Sequence, residues 1–397
     1  MSKIDSQKIK NSLTRNVEQI IDSKHLENQL MAGKKLRIKH GVDPTGPKYH
    51  LGRAITLWKL KEFQDLGHKI ILILGDYTAQ IGDPSDKLNK RPFLSEKQVN
   101  ENLKNYQIQI SKILDPKKIE WHRNSKWLAK LTPRQLDELA DLFSVQQMIT
   151  RRNFKQRWDN EEEISIRELH YPLYQGYDSV AIKADLEIGG TDQLFNLLAG
   201  RKIQEAYGQK PQDIMTLKML EGLDGDKMST TRGNVVNISD APGEQYGKIM
   251  SMRDGLILKY FELCTILSQE EIEMVKRGLD GGVNPRESKS KLAYEIVKLY
   301  HGEKAARIAE DEFNKIFQKR ELPENMPIFK AKKEKYKLID ILAEAKFAAS
   351  KGEARRLIEQ GAVEIDGAII KDWNSEMKLK NKMVIKVGKR RFIKIDL

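Results

Sequence analysis

The chain has 397 residues, which is too long for one ordinary domain, so we expect two or three domains. Its hydrophobic content of 39% and charged content of 32% are normal for a globular protein, and its polar N-terminal residues do not resemble a signal peptide. The longest apolar run (residues 70–74) is too short to span a bilayer, and the one cysteine, Cys264, excludes an internal disulfide and a cysteine-based zinc site. We therefore expect a cytoplasmic protein without a membrane partner.

The net charge of +13 is high for a metabolic enzyme and indicates a polyanionic partner. A lysine-rich bias of the whole proteome is the alternative. Residues 331–397 hold 17 Lys and Arg against 10 Asp and Glu, an excess of seven that makes up about half of the net charge. The positive charge is therefore concentrated near the C-terminus.

The first predicted elements are a strand, a helix and a second strand. Residues 35–43 have the pattern of a short strand, and residues 51–67 form a helix that ends at Gly67. Residues 68–76 are a continuous apolar run, typical of a strand that is buried on both faces. This order predicts a βαβ unit in a parallel sheet.

The same order recurs further along the chain. Residues 177–193 are predicted as a strand that ends in a glycine turn, residues 194–208 as a helix, and residues 212–220 as another strand. Residues 95–168 are mostly helical in pattern and form an insertion. The chain up to about residue 225 is therefore predicted to be an α/β domain with a doubly wound parallel sheet, Rossmann-like, with a helical insertion.

The pattern changes after the stretch KMSTTRGN. Residues 241–330 are predicted to be helical throughout, and residues 321–337 form a linker rich in proline and lysine. Residues 337–367 are predicted to contain two short helices and a strand, and two more short strands follow at 383–388 and 390–397. The expected domains are residues 1–240, 241–330 and 336–397.

A candidate ligand site lies at HLGR, residues 50–53, where a predicted strand has ended and a helix begins. In a doubly wound sheet, ligands bind beyond the carboxyl ends of the strands, and the free N–H groups of a following helix favour phosphate. Gly52 has no side chain, so a flat ligand can lie against the backbone. The alternative is a stray His-x-Gly in a helix cap.

HLGR resembles the HIGH signature of class I aminoacyl-tRNA synthetases, and DGDKMSTT (residues 224–231) resembles their KMSKS loop. The stretches GVDPT, IGDPSDK, YPLYQGYDSV, IGGTDQLFNLLAGR and LEGLDGDKMS resemble bacterial tyrosyl-tRNA synthetases, and YQGYDSVAIKAD resembles the second bacterial type. The resemblance covers essentially the whole chain. It implies a catalytic domain, an all-α anticodon-binding domain and a small α+β RNA-binding domain of the S-four type, in that order.

The resemblance implies that the enzyme joins the carboxylate of tyrosine to the α-phosphorus of ATP, releases pyrophosphate, and transfers tyrosine to the 3′ end of its tRNA. Both reactants of the first step are anions, so positioning and electrostatics carry the rate without a side-chain nucleophile. Mg²⁺ is expected to bind mainly through the triphosphate of ATP, because the sequence offers no dedicated carboxylate cage for a tightly bound metal.

The family's ATP site can be carried over residue by residue. By resemblance, Thr45 and His50 donate to the γ-phosphate, and Lys227 binds pyrophosphate. The residues implied in catalysis are Thr45, His50, Arg53, Lys87, Arg91, Lys227, Thr230 and Thr231. Those implied in ATP binding are Gly41, Asp43, His50, Gly52, Arg53, Gly190, Asp192, Lys227, Met228 and Ser229. For Lys87 and Arg91 the alternative is an ordinary solvated charge cluster.

The tyrosine site is carried over in the same way. Tyr171, Gln175 and Asp178 are spaced at i, i+4 and i+7, so one helical face presents all three. By resemblance, Asp178 accepts a hydrogen bond from the substrate phenol, and Asp83 joins the other two at the α-ammonium group. The residues implied in tyrosine binding are Thr78, Asp83, Tyr171, Gln175, Asp178 and Gln193. A polar, capped helix without a ligand is the alternative.

Three residues depart from the family's motifs. Arg53 replaces the final histidine of HIGH, so that its longer, charged side chain either reaches a phosphate or turns outward. Thr230 replaces the second lysine of KMSKS, a lost cation for which Arg53 or Arg232 is expected to compensate. Lys39 stands where many tyrosyl enzymes have a tyrosine near the substrate phenol.

Near the C-terminus, Ser350 is predicted to cap a helix that presents Lys351, Arg355 and Arg356 on a basic face. Such a surface recognises the backbone and shape of RNA rather than its base sequence. By resemblance, the partner is the tRNA for tyrosine. A solvated basic helix is the alternative.

The family implies a homodimer, with its contact expected around residues 127–154. The apolar residues expected in that contact are Leu139, Leu142, Phe143, Val145 and Met148. The alternative is that these residues pack inside their own chain.

The sequence leaves three other functions open. A tryptophanyl enzyme shares the fold and the motifs, although Asp178 and the S-four region favour tyrosine. A small-molecule adenylyltransferase would not need the two C-terminal regions. An RNA-binding protein on a degenerate synthetase scaffold would bind structured RNA without forming an adenylate.

Overall fold

The computed structural model describes residues 5–83, 95–228, 232–318, 326–331, 333, 335–374, 376–388 and 391–397. The chain forms two compact units. The first consists of Met1–Asp240 and Ser251–Leu292, and the second of Ala241–Met250 and Ala293–Leu397.

The described helices and strands are as follows. The α-helices are α1 (Ser6–Thr14), α2 (Ser23–Met31), α3 (Leu51–Asp65), α4 (Thr78–Ile81), α5 (Glu96–Ile110), α6 (Ser125–Leu128), α7 (Pro133–Asp141), α8 (Val145–Ile149), α9 (Arg152–Asp159), α10 (Ile166–Ile182), α11 (Leu194–Ala206), α12 (Pro242–Met250), α13 (Ile257–Cys264), α14 (Gln269–Asp280), α15 (Pro285–His301), α16 (Glu303–Gln318), α17 (Leu338–Glu344) and α18 (Lys351–Glu359). The strands are β1 (Val17–Ile21), β2 (Arg37–Val42), β3 (Lys69–Leu74), β4 (Ile119–Arg123), β5 (Leu186–Gly190), β6 (Asp213–Leu217), β7 (Ile328–Lys330), β8 (Lys335–Lys337), β9 (Val363–Ile365), β10 (Ala368–Ile369), β11 (Glu376–Lys378), β12 (Val384–Val387) and β13 (Arg391–Asp396). Within these described segments, no helix is both long and apolar enough to span a membrane.

The first unit contains a six-stranded sheet in the order β1-β6-β5-β2-β3-β4. Its neighbouring strands are parallel except for β1, which is antiparallel to β6. The strand order reverses between β2 and β5, and ligands of doubly wound sheets bind at such a reversal. The predicted doubly wound α/β fold is therefore confirmed, with a mixed rather than purely parallel sheet.

Three parts of this sheet differ from the prediction. β4 lies inside the insertion that is helical in pattern, and β1 lies before the first predicted strand. Both are edge strands whose sequences, IEWHR and VEQII, lack the continuous apolar run of the fully buried β3. The strand predicted from residue 177 begins only at Leu186, because the preceding residues continue α10.

Local sequence explains how α3 and α10 are placed. α3 begins directly after the loop that follows β2, with His50 as its N-cap, and Gly67 follows its end at a φ of +81°. α10 packs closely on α11 at Gly176, where an added Cβ would lie 3.2 Å from the backbone of Ala199. The cap of α3 and the packing of α10 on α11 place α3 and α10 beside the reversal point of the sheet.

The predicted boundary at residue 240 differs from the division into units. Residues 251–292, predicted as part of the helical domain, belong to the first unit. The Tyr260 hydroxyl donates to the main-chain oxygen of Glu221 at 2.7 Å, and Lys259 pairs with the Glu221 carboxylate at 2.6 Å. Helical periodicity indicates which face of a helix is buried, but not which domain covers that face.

In the second unit, the C-terminal residues form a five-stranded sheet in the order β10-β9-β12-β13-β7 and a separate pair, β11-β8. The core beside these strands includes Leu338, Ile341 and Ile358 from α17 and α18. The prediction of helix up to residue 330 is wrong at its end, since β7 pairs with β13. Phe329 is buried between two exposed neighbours, an alternation that three residues are too few to reveal in a sequence.

The residues predicted for a dimer contact have different environments. Leu139 and Met148 are buried in one cluster with residues of α10 and α11. Leu142 and Phe143 are partly buried against that cluster, whereas Val145 is 59% exposed. Internal packing, the alternative interpretation, therefore holds for Leu139 and Met148.

Candidate active site

A cavity of about 270 Å³ lies at the reversal point between β2 and β5. Its walls come from the ends of these strands, the first turn of α3 and one face of α10. The predicted ATP and tyrosine residues that line it are Gly41, Asp43, Thr45, His50, Gly52, Arg53, Thr78, Asp83, Tyr171, Gln175, Asp178, Gly190, Asp192, Gln193, Lys227 and Met228. The others, Lys87, Arg91, Ser229, Thr230 and Thr231, lie outside the described residues. One cavity thus collects every described member of both predicted sets, while their individual roles stay predictions.

The start of α3 is tied to the segment that follows the KMSTTRGN stretch. The Leu51 N–H donates to the Val236 carbonyl at 2.9 Å, and the Ile238 N–H donates to the Tyr49 carbonyl at 2.9 Å. These bonds form a short antiparallel bridge between His50 and Asn237. The residues around HLGR and the residues that follow the KMSTTRGN stretch are therefore joined by main-chain hydrogen bonds.

Gly52 and Met228 meet at the same corner. An added Cβ at Gly52 would lie 3.0 Å from the Met228 sulfur and 3.2 Å from the His50 ring. Lys227 precedes Met228, and its carbonyl accepts a hydrogen bond from the Asn234 side chain at 3.2 Å. The absence of a side chain at Gly52 therefore permits the close approach of the two motifs.

Arg53 turns into the cavity rather than outward. Its guanidinium donates to the Thr45 hydroxyl at 3.1 Å and to the hydroxyl of Tyr106, a fully buried residue. Tyr106 packs edge-on against Tyr49 with ring centroids 5.2 Å apart. A permanent positive charge thus lies beside Thr45 and the first turn of α3, where the helix end already favours anions.

Asp43 joins residues from three parts of the chain. Its two carboxylate oxygens accept hydrogen bonds from Thr78 at 2.7 Å and from the Tyr171 hydroxyl at 2.9 Å. An added Cβ at Gly75 would lie 2.0 Å from Asp43 Oδ1. Asp43, predicted from the ATP side of the site, is therefore bonded to two residues that were predicted from the tyrosine side.

Asp178 lies near the C-terminal end of α10 and is buried, with only 3% of its surface exposed. Its oxygens accept hydrogen bonds from Trp127 Nε1 at 2.7 Å and from Asn124 Nδ2 at 3.3 Å. Burial raises the pKa of Asp178 to about 7, and the nearby ammonium of Lys39 opposes that rise. Trp127 and Asn124 were not among the predicted tyrosine-binding residues, because they come from the insertion and meet Asp178 only in the folded chain.

Lys39 lies beneath the cavity floor and is fully buried. Its ammonium contacts the Glu187 carboxylate at 2.8 Å, the Ser179 hydroxyl at 2.8 Å and the Gln175 carbonyl at 2.7 Å. The Gln175 side chain in turn donates to Glu187 at 3.2 Å. Complementary charges in two neighbouring strands are a signal for such a pair, and the sequence prediction did not use this signal.

Asp83 and Gln193 form one hydrogen-bonded unit on the cavity wall. Gln193 Nε2 donates to the Asp83 carboxylate at 2.7 Å, and Gln193 Oε1 accepts from Asn196 at 3.0 Å. Asn196 is fully buried on α11. The amide of Gln193 is thus oriented from behind, so that its N–H faces the carboxylate.

Near Gly190 and Asp192, which are predicted to bind ATP, the cavity wall contains a residue that the sequence prediction missed. His40 lines the cavity, and its Nδ1–H donates to the Ile188 carbonyl at 2.9 Å, which joins β2 to β5. Burial lowers the pKa of His40 to about 4, so this ring is neutral at physiological pH. The Asp192 carboxylate lies close to Gly190. A Cβ added at Gly190 would lie 2.5 Å from Asp192 Oδ1, so the lack of a side chain at Gly190 makes room for this carboxylate.

The predicted RNA-binding side chains differ in their surroundings. Lys351 pairs with Asp340 at 2.8 Å, and Arg355 pairs with Glu359 at 2.8 Å while lying 4.5 Å above the Trp373 ring. Arg356 is exposed. Two of the three predicted cations are therefore engaged within their own domain.

Among the described residues, Asp22, His25 and Asp213 have ligand atoms close enough for one metal ion. The His25 ring is already 2.9 Å from the Asp213 carboxylate, and the Lys210 ammonium lies 2.7 Å from the other ring nitrogen. A cation in this position would face that ammonium at short range. The cluster lies apart from the residues of the cavity.

Residues 31–318 match the family of class I tRNA synthetases for tryptophan and tyrosine, and residues 318–395 match the SYY-like C-terminal domain of tyrosine–tRNA ligases. The chain is 48% identical to the tyrosine–tRNA ligase of Thermotoga maritima, over 97% of its own length and 96% of that protein. It is 46% identical to tyrosine–tRNA ligase 2 of Clostridium acetobutylicum, over 96% and 97% of the two chains. The chain belongs to the tyrosyl-tRNA synthetases. It is therefore an enzyme of the class I family that activates its amino acid with ATP and charges tRNA.

Solved structures share the fold of this synthetase at low sequence identity. The tyrosyl-tRNA synthetase of Archaeoglobus fulgidus, solved with L-tyrosine, aligns with a TM-score of 0.61 at 22% identity, over 77% of this chain and all of its own. The tryptophanyl-tRNA synthetase of Plasmodium falciparum aligns almost as well, with a TM-score of 0.60 at 15% identity over 77% and 88%. Fold alone does not separate the two amino acids, so the close relatives decide for tyrosine.

Proposed function

We propose that the cavity between β2 and β5 binds tyrosine and ATP together and is where tyrosyl-adenylate forms. The observation that carries this proposal is that all the described members of both predicted residue sets line the same cavity at the reversal point of the sheet. A reaction between two anions needs its reactants held together in a shared, positively biased site. The cavity brings the two sets together, and Arg53 and Lys227 are the predicted phosphate-binding cations among its lining residues.

The phosphate end of the reaction is assigned to the first turn of α3. The positive end of this helix and the guanidinium of Arg53 would attract the triphosphate, which enters with Mg²⁺ as part of the substrate. Thr45 and His50 would donate to the γ-phosphate, and Lys227 would neutralise the leaving pyrophosphate. Lys87, Arg91 and residues 229–231 keep their predicted roles at the same phosphates.

The ribose part of ATP is assigned to the ends of β2 and β5. The amide of Gly41 lies near the end of β2, Gly190 is the last residue of β5, and Asp192 follows it. A carboxylate suits the vicinal hydroxyls of ribose, so Asp192 is assigned to them. Gly52 and Met228 would flank the nucleotide at the corner where the two signature motifs approach each other.

The tyrosine end is assigned to α10 and its neighbours. Asp178 would accept a hydrogen bond from the substrate phenol, while Tyr171, Gln175 and Asp83 receive the α-ammonium group, supported by Thr78 and Gln193. Phenylalanine would leave a buried acceptor unpaired, and rejection of phenylalanine on this basis is an established property of tyrosyl enzymes. No editing step is needed for that discrimination.

Binding of the tRNA is assigned to the C-terminal regions. We assign anticodon recognition to the helices within residues 241–330 and RNA-backbone binding to an S-four-type domain at 336–397, with Lys351, Arg355 and Arg356 on its basic face. The excess positive charge of residues 331–397 supports this assignment. The proposed assembly is a cytoplasmic homodimer, and Val145 is the residue of the predicted contact that is most available to a partner.

Tyrosine-dependent exchange of labelled pyrophosphate into ATP tests the proposal. We expect exchange with tyrosine and none with tryptophan or phenylalanine. An Asp178→Ala variant should lose exchange with tyrosine, and a Lys118→Ala variant, altered at an exposed surface lysine, should keep it. Absence of exchange with every amino acid, in a folded protein that binds structured RNA, would instead support the degenerate scaffold.

A further inference from the structure

A chain of hydrogen bonds runs from Arg151 to the cavity wall. Arg151 donates through Nη2 to Asn196 Oδ1 at 3.0 Å, and Asn196 Nδ2 donates to Gln193 Oε1 at 3.0 Å. Gln193 Nε2 then donates to the Asp83 carboxylate at 2.7 Å. Each amide in this chain accepts on one side and donates on the other, so the guanidinium fixes the direction of every bond.

Arg151 is itself held in place. It lies at the junction between α8 and α9, with its guanidinium 4.8 Å from the centre of the Phe195 ring and 5.3 Å from that of Phe154. Burial lowers the pKa of Arg151, and the negative charge of Asp83 opposes that shift. A planar cation between two aromatic rings is a rigid starting point for an orienting chain.

We propose that Arg151 is a positioning residue for tyrosine activation, which acts through Asn196 and Gln193 to hold Asp83 where it receives the substrate α-ammonium group. The proposal rests on the function proposed for the cavity. Without the guanidinium, the Asn196 amide is free to rotate and to present its N–H groups in place of its oxygen. Gln193 would then lose its fixed direction, and Asp83 would lose the N–H that orients it.

The effect should be specific for ligands that carry an ammonium group. Tyramine keeps the phenol and the ammonium group of tyrosine, whereas 3-(4-hydroxyphenyl)propionate keeps the phenol and the carboxylate but has no ammonium. In Arg151→Met, the KM for tyrosine and the inhibition constant of tyramine should each rise about tenfold, as expected for loss of one well-oriented bond to a charged group. The inhibition constant of the propionate and the KM for ATP should stay within twofold of the wild type.

Two further single variants and one double variant test the route. Asn196→Asp keeps an acceptor for Arg151 but removes the donor to Gln193, so it should reproduce the ammonium-specific loss even if Arg151→Met folds poorly. Arg151→Lys keeps the charge without the planar fork and should restore only part of the binding. In an Asp83→Asn background, Arg151→Met should add little further loss, because both changes act on the same contact.

The outcomes separate the two proposals. If wild-type protein shows no tyrosine-dependent pyrophosphate exchange, the proposed function of the cavity fails. If it does exchange, equal weakening of tyramine and the propionate would show that Arg151 only maintains the pocket, and that result would overturn the positioning role. Unchanged binding of both inhibitors in Arg151→Met and in Asn196→Asp would also overturn it, and Lys118→Met serves as the surface control.

Discussion

The ammonium of Lys39 and the carboxylate of Glu187 lie 2.8 Å apart, with their side chains 0% and 1% exposed. The two residues face each other in register on β2 and β5, the strands between which the sheet order reverses. Lys39 also donates a hydrogen bond to the Gln175 carbonyl, and Glu187 accepts one from the Gln175 side chain. The pair therefore sets the position of Gln175, a residue predicted to bind tyrosine. Lys39, which departs from the family motif, is thus one of the buried residues that support the site.

Removing one member of this pair should cost more than removing both charges. Lys39→Met leaves a buried carboxylate without its cation and should reduce the free energy of unfolding by about 3–5 kcal/mol. Combining it with Glu187→Gln, which keeps an oxygen acceptor, should recover at least half of that loss. Chemical denaturation followed by circular dichroism measures both values.

Lys34→Met is the matched control for this pair. Its ammonium also lies 2.9 Å from a carboxylate, that of Asp185, but the Lys34 side chain is 45% exposed. Its loss should change the free energy of unfolding by less than about 1 kcal/mol. A Lys39→Met variant as mild as Lys34→Met would contradict the importance given to the buried pair.

The KM for tyrosine should decrease as pH rises through about 7, because burial raises the pKa of Asp178 to about 7 and the ionised carboxylate is the stronger acceptor for a phenol. The groups nearest this carboxyl are Lys39 and Glu187, together with its donors Trp127 and Asn124. Exchange assays between pH 5.5 and 8 measure the step. Asp178→Asn should remove it, and a step that persists in that variant would assign the titration to another group.

The same shift has a defined sign for stability. The pKa of Asp178 is higher in the folded chain than its ordinary value of 3.8, so between these values the folded state holds a proton that the unfolded state has lost. Its contribution to stability is therefore fully present below pH 3.8 and is lost as pH rises towards about 7. The stability difference between wild type and Asp178→Asn should follow that window in denaturation experiments.

Gly75→Ala should damage the site more than any change of comparable size outside it. The new Cβ would lie 2.0 Å from Asp43 Oδ1 and 2.4 Å from the Thr78 hydroxyl, so the bond between these side chains must break. We expect kcat/KM in pyrophosphate exchange to fall at least a hundredfold, since misplacement by about 1 Å can cost that much. Gly46→Ala, with no atom within 4 Å of its Cβ, should remain within about threefold of the wild type.

Arg53→Met should raise the KM for ATP and lower kcat, by about tenfold or more for a lost charge-assisted contact, while the KM for tyrosine changes little. The reason is that Arg53 lies beside Thr45 at the phosphate end of the proposed site. Tyr106→Phe removes the other anchor of the guanidinium but leaves the charge, so it should have a smaller effect. Equal KM values for ATP in wild type and Arg53→Met would show that the guanidinium only supports the fold.

The sequence predicted the parts of the fold that local pattern determines. The fully apolar β3 and the helix after His50 are marked by periodicity and capping, and the signature motifs indicated which residues share a cavity. Edge strand β4 and the direction of Arg53 depend on tertiary neighbours, which no local pattern reveals. For the same reason Trp127, paired with Asp178 across 51 positions of sequence, could not be predicted.

Arg356→Gln should weaken binding of tRNA and reduce the dependence of the logarithm of affinity on the logarithm of salt concentration by about one, as expected for one lost phosphate contact. Arg356 is exposed on α18, and the structure gives it no ion pair with another described residue. Its neighbour Arg355 is held by Glu359 and by the Trp373 ring, so Arg355→Gln should change the salt dependence less. Filter binding or fluorescence titration with tRNA at several salt concentrations measures both slopes.

An Arg356→Gln variant with the wild-type slope would argue against this face as an RNA-binding surface. Equal losses in the two variants would show that RNA competes successfully for the paired arginine, Arg355.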